Sequence, residues 1–132
     1  MASRKILPDV VVLRNYAGEV NDEAVYQETI LTHCYCPTTE GADLNMQGKK
    51  AKKSGILYIF DEQTVAKAAD GSLRTYKPYD EWVNLDDKSP FWTVGDLGLD
   101  YFEKAGSEFR ITGYAHKVNG TRRMHHFEVK GE

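Results

Sequence analysis

Cys34 and Cys36 flank a single residue and follow His33, and three more imidazoles, His116, His125 and His126, stand near the far end of the chain. Thiolates and imidazoles are the usual ligands of zinc, so these side chains are the first candidates for a metal site. The spacing argues against one. Zinc fingers and ribbons wrap the ion with thiol pairs separated by two or more residues, and here no second thiol pair exists. The bland alternative is two small semi-buried thiols and surface imidazoles, with no metal or other cofactor. A bridge between Cys34 and Cys36 would close a very small, strained ring, so reduced thiols are expected. Acid/base chemistry is no better served. Asp86 and Asp87 are adjacent, and neighbours on an extended chain point to opposite faces. Ser, His and Asp occur outside any nucleophile elbow, and no phosphate-cradling loop is present. The sequence reads as that of a non-enzyme.

One cluster has a different character. Lys49, Lys50, Lys52 and Lys53 put four cations in five positions. Their charges add to one local positive field, suited to an acidic neighbouring subunit or to DNA phosphates. A solvated loop tip is the plain alternative. No aromatic is interleaved with them, which argues against a single-strand binder that stacks bases.

The elements that must carry these residues are mostly strands. Residues 6–13 form a β-branched run with Pro8 near its start, and residues 15–22 read as a polar turn. A second strand is expected over 24–33, and a long loop rich in Thr, Gly, Asn and Lys over 37–54. Residues 55–60 (GILYIF) are nearly all apolar, as in a central strand buried on both faces. Asp61 could cap a helical turn running to Ala69, with Asp70 and Gly71 as its stop, and Pro78 could open another before Trp82. Residues 91–94 (FWTV) read as a short aromatic strand. Tyr76, Tyr79, Trp82, Phe91 and Trp92 read as a satellite core under this connection, or as an interface. Residues 109–118 and 121–129 flank Asn119-Gly120, the strongest short hairpin signal, since a type I′ turn needs two residues that tolerate positive φ. In the first arm Phe109, Ile111, Gly113 and Ala115 alternate with polar residues, giving one apolar face.

Five or six short strands, little helix and no repeat point to a mainly β fold, a small β-barrel or two-layer sandwich with one long loop and a short helix. The 132 residues suffice for a single domain with a modest core. Eight Tyr, five Phe and two Trp favour strands, and the formal net charge of -3 argues against a dedicated nucleic-acid binder. With no signal-like h-region and no run of about 18 apolar residues, a soluble protein made in a cytoplasm, with no membrane partner, is expected.

Five pieces taken in order resemble a known group of proteins: 10–13 (VVVL), 53–60 (KSGILYIF), 76–82 (YKPYDEW), 87–93 (DKSPFWT), and the end from Ile111 to Gly131. The group comprises small minor capsid or head–tail joining proteins encoded in the head-assembly region of tailed phages and prophages. The layout is similar to head-completion stopper proteins, small β-barrels that form a ring beneath the portal. The resemblance implies a structural component of a head–tail connector, acting in the virion and assembled in the bacterial host cytoplasm. It implies a homo-oligomeric ring whose partners are connector proteins on the portal or adaptor side and on the tail side. Lys49, Lys50, Lys52 and Lys53 would then meet DNA backbone without reading bases. The rival reading is a small metal- or nucleic-acid-binding module of a bacterial host.

Overall fold

The structure, a computed structural model, describes residues 7–39 and 53–132. Its strands are β1 (Asp9–Val20), β2 (Glu23–Cys34), β3 (Thr38–Thr39), β4 (Ser54–Phe60), β5 (Val65–Lys67) and β6 (Thr75–Tyr76). The short helix α1 (Tyr79–Trp82) follows, then β7 (Phe91–Trp92), β8 (Tyr101–Lys104), β9 (Ser107–Lys117) and β10 (His126–Gly131). Eight of these strands form one antiparallel sheet, ordered β3-β4-β10-β9-β8-β1-β2-β5, which curls into a half-barrel. A parallel pair, β6 and β7, sits beside it. The mainly β expectation holds, although the described residues contain more strands than the five or six expected. Among them no helix is long and apolar enough to cross a membrane.

Strand β1 is longer than the sequence suggested. Residues 15–20 continue it, and the turn is confined to Asn21 and Asp22, with φ of 55° and 67°. Positive φ at both positions is what a two-residue hairpin of the type I′ kind needs, and Asn and Asp tolerate it. A bulge sets Ala17 and Gly18 against Val25, and Gly18 takes φ 114° there. The extra residue sharpens the twist of the hairpin without ending it.

At the other end of the chain the expected pairing is present and the expected turn is not. β9 and β10 pair from His126–Lys117 to Gly131–Ile111, but eight residues, 118–125, join them. Gly120 alone takes positive φ in that connection, and Arg122–Met124 form a single 3₁₀ turn. Asn119-Gly120 therefore lies within a loop and does not close the hairpin. The apolar face of β9 also changes midway. Ile111 opposes Gly131 while Gly113 opposes Lys130, so Thr112 is an extra residue. Beyond it Tyr114 and His116 oppose the buried Val129 and Phe127, and Ala115 turns to solvent. One inserted residue swaps the faces of a strand because side chains alternate with period two.

Two further expectations are corrected by tertiary pairing. Residues 65–67 are not helical: β5 pairs with Ile30, Leu31 and Thr32 of β2, and the Asp70 carboxylate accepts bonds from the Ser72 N–H and hydroxyl in a tight turn. β4 buries only Gly55, Leu57 and Ile59, leaving Ile56, Tyr58 and Phe60 half-exposed. Thr38 and Thr39, expected in the long loop, pair with its start. The helical turn opened at Pro78 is present as α1, and its Trp82 is buried with its indole N–H donating to the Phe91 carbonyl at 3.3 Å.

Where β2 ends, His33 takes φ 59° and the chain crosses toward the opposite end of the sheet. Tyr35 and Tyr58 then exchange backbone hydrogen bonds of 3.2 and 2.7 Å, which ties β2 to β4 and holds the curl. Inside lie Val11, Leu13, Leu31, Leu57, Ile111 and Val129, packed around Phe102 and Phe109, whose rings stack at 5.2 Å. Gly131 abuts this pair so closely that an added Cβ would stand 2.7 Å from the Phe102 ring and 2.8 Å from Phe109 Cβ. Gly131→Ala is accordingly expected to cost about 2 kcal/mol in chemical denaturation, by overpacking. An unchanged midpoint would show that the C-terminal strand can slide away.

Candidate interaction surfaces

The candidate metal ligands do not come together. Cys34 and Cys36 are fully buried in the core, deeper than the semi-buried position expected. Cys34 Sγ donates to the Asp9 carbonyl at 3.3 Å, and the Cys36 N–H donates to the Asp9 carboxylate at 2.7 Å. Burial pushes the Cys34 thiol up to about 12 and the Cys36 thiol up to about 11, so both are protonated at neutral pH. His116 lies flat on Phe127 with ring centroids 3.9 Å apart, and its Nε2 is 2.8 Å from Asp61 Oδ2. His126 Nε2 is 3.0 Å from Glu128 Oε2, which helps hold that carboxyl below its ordinary range. Among the described residues no three His, Cys, Asp or Glu side chains converge.

Of the lysine cluster, Lys49, Lys50 and Lys52 lie outside the described residues. Lys53 precedes β4, with its ammonium 5.2 Å from the centroid of the Phe109 ring. Of the Asp86-Asp87 pair, Asp87 caps a turn by accepting from the Ser89 N–H and hydroxyl. The aromatic cluster divides. Trp92 and Tyr76 pack on Phe127 in the main core, and burial raises the Tyr76 hydroxyl to about 12. A cavity of about 270 Å³ opens at the seam between β4 and β5, walled by Ile59, Ala66, Tyr76 and Phe127 with Arg74 at its side. Arg74 is already engaged there by the Ser89 and Glu28 carbonyls and the Thr29 hydroxyl.

Sequence reading missed the polar pin at the base of the β1–β2 hairpin. Asn15 and Asp100 are both buried. The Asp100 carboxylate accepts from the Tyr16 N–H, the Asn15 amide and the Gly95 N–H, each at 2.9 Å. The Asn15 amide also donates to the Thr93 carbonyl at 2.8 Å. Burial raises the pKa of Asp100 despite these hydrogen bonds, which act the other way. A carboxylate 85 positions from its amide partner leaves no mark in local sequence. On the outer face, Arg14 bridges Glu28, Glu103 and Glu108 at 2.9, 2.7 and 3.2 Å, tying β1 to β2, β8 and β9.

Above this anchorage the hairpin leaves the body. β8 pairs with β1 only from Val12 to Arg14, and β5 pairs with β2 only from Ile30 to Thr32. Residues 17–25 are almost all exposed, and no described strand flanks either edge of the hairpin tip. Tyr16, Tyr26 and Tyr101 stiffen its root with edge-to-face contacts of 5.9 Å. Two free edges on a rigid arm are a template for contact with another chain. The sequence signal was available in Asn21-Asp22, read too broadly as a polar turn. No family model matches the chain, and comparison with curated proteins and with solved structures yields no match.

Proposed function

We propose that the chain is a structural, non-catalytic subunit of a tailed-phage or prophage head–tail connector, a head-completion or minor capsid protein acting in the virion. The observation that carries this reading is the anchored arm. A ring subunit needs a stiff body and a projection that reaches a neighbour, and the curled sheet with its pinned hairpin supplies both. The order of strand and aromatic segments that resembles connector proteins supports the same reading. Its partners would be connector proteins on the portal or adaptor side and on the tail side. The protonated, buried thiols do not favour the metal-binding alternative.

Mass spectrometry of purified particles tests the reading. The protein is expected in filled, tailed particles at a fixed number of copies matching a single ring. Its absence from such particles, when the gene is expressed during their assembly, would rule the proposal out. Lys49, Lys50, Lys52 and Lys53 are the proposed contact with DNA backbone. Changing all four to Ser should lower the yield of infectious particles and weaken the salt dependence of assembly. Folding stability should move by no more than about 1 kcal/mol, since the described contact that is lost is that of the Lys53 ammonium with the Phe109 ring.

A further inference from the structure

The arm and the β9–β10 connection carry opposite charges, most of them without an ion pair among the described residues. Residues 15–28 hold four carboxylates and no Lys or Arg. At the tip, Glu19, Asp22 and Glu23 form no ion pair among the described residues. Residues 117–130 hold Lys117, Arg122, Arg123 and Lys130 against the single carboxylate of Glu128. Among the described residues, of these cations only Arg122 comes within ion-pair distance of a carboxylate, Glu62 at a marginal 3.8 Å, while Lys117 and Lys130 act on Glu128 from farther away. Each surface also exposes apolar side chains. Val20 is 60% exposed on the arm, where the register sets it on the same face as Val25 and the buried Thr29. Val118 and Met124 are 53% and 60% exposed in the connection. Neighbouring exposed apolar side chains rimmed by charge suit a contact surface, and the sign of the charge sets which partner fits.

We propose that the acidic arm of one copy docks on the basic β9–β10 connection of the next, a head-to-tail contact between copies of this chain. Val20 and Val25 cover Val118 and Met124 at its centre. Glu23 on the same face and Asp22 at the turn oppose Lys117, Arg122 and Arg123 around them, and Glu19, on the opposite face, adds to the negative field of the arm. Two different patches meeting in this way give a heterologous contact, which closes into a ring when the rotation between copies permits. The proposal rests on the ring reading above and supplies its contact.

Sedimentation of the full chain over a range of concentration and salt tests it. The natural chain is expected to self-associate beyond a dimer at low salt and to dissociate as salt rises. The arm variant Glu19→Lys/Asp22→Lys/Glu23→Lys and the connection variant Lys117→Glu/Arg122→Glu/Arg123→Glu should each associate at least about tenfold more weakly, because like charges then meet. An equimolar mixture of the two should recover association, since each variant's arm then faces an opposite charge on the other. All these positions are exposed, and circular dichroism and melting of each variant confirm an intact fold. A natural chain that stays monomeric, an assembly that stops at the dimer, or a mixture that does not recover would overturn the proposal. Such results leave the connector reading standing if the protein is still found in particles, whereas its absence from particles would sink that reading even with self-association intact.

Discussion

Replacing Phe102 by Ala is expected to lower the unfolding free energy by about 4 kcal/mol. The ring is fully buried, stacks on Phe109 and touches the space around Gly55 and Gly131. Its neighbours belong to paired strands, which cannot close over the void without breaking ladder hydrogen bonds, so most of the cavity would remain. Against a typical domain stability of 5–15 kcal/mol this is a large share. Urea denaturation should show a lower midpoint at nearly unchanged slope. Phe102→Leu, which keeps most of the volume, should cost only about 1–2 kcal/mol. A loss below that range for the Ala variant would mean that the half-barrel collapses freely and that the stacked pair does not hold its curl.

Asp100→Ala is expected to cost about 3 kcal/mol and to loosen the arm. The change takes the carboxylate acceptor from the buried Gly95 N–H and the part-buried Tyr16 N–H, and one of the two bonds of the Asn15 amide. Hydrogen exchange at Tyr16 should accelerate more than exchange at core amides such as Leu57. The pH dependence has a definite sign. Burial raises the folded-state pKa of Asp100, so the folded chain holds this proton more tightly than the unfolded chain. The resulting stability is present at low pH and is lost as pH rises from the ordinary carboxylate range through the raised value. Asp100→Asn has no proton to lose, so the stability of the natural protein relative to this variant should fall across that window. A difference that grows with pH would mean that the three hydrogen bonds outweigh burial.

The fold class was legible because strand alternation survives without knowledge of partners, and α1 because Pro78 at a helix start is a local signal. What escaped was decided at a distance. Asn21-Asp22 and Asn119-Gly120 are both competent turns, yet only the first closes a two-residue hairpin. Residues 65–69 have acceptable helical propensity, and the free edge of β2 recruits residues 65–67 into the sheet. Thr112 looks like any outward strand residue, yet as a bulge it redirects Tyr114 and His116 toward the core and Ala115 away. The candidate interaction surfaces were less visible still. The lysines stand out because four fall within five positions, while the arm's isolation depends on where β5 and β8 stop pairing.

Deleting the gene from its source genome, and supplying the natural protein in trans while phage particles are induced from that genome, tests the connector proposal most directly. Particles made without the protein are expected to have heads that leak DNA or lack tails under the electron microscope. Infectivity should return with the natural protein and return poorly with the arm-reversed variant. Filled, tailed and infectious particles assembled in normal yield without the protein would contradict the proposal.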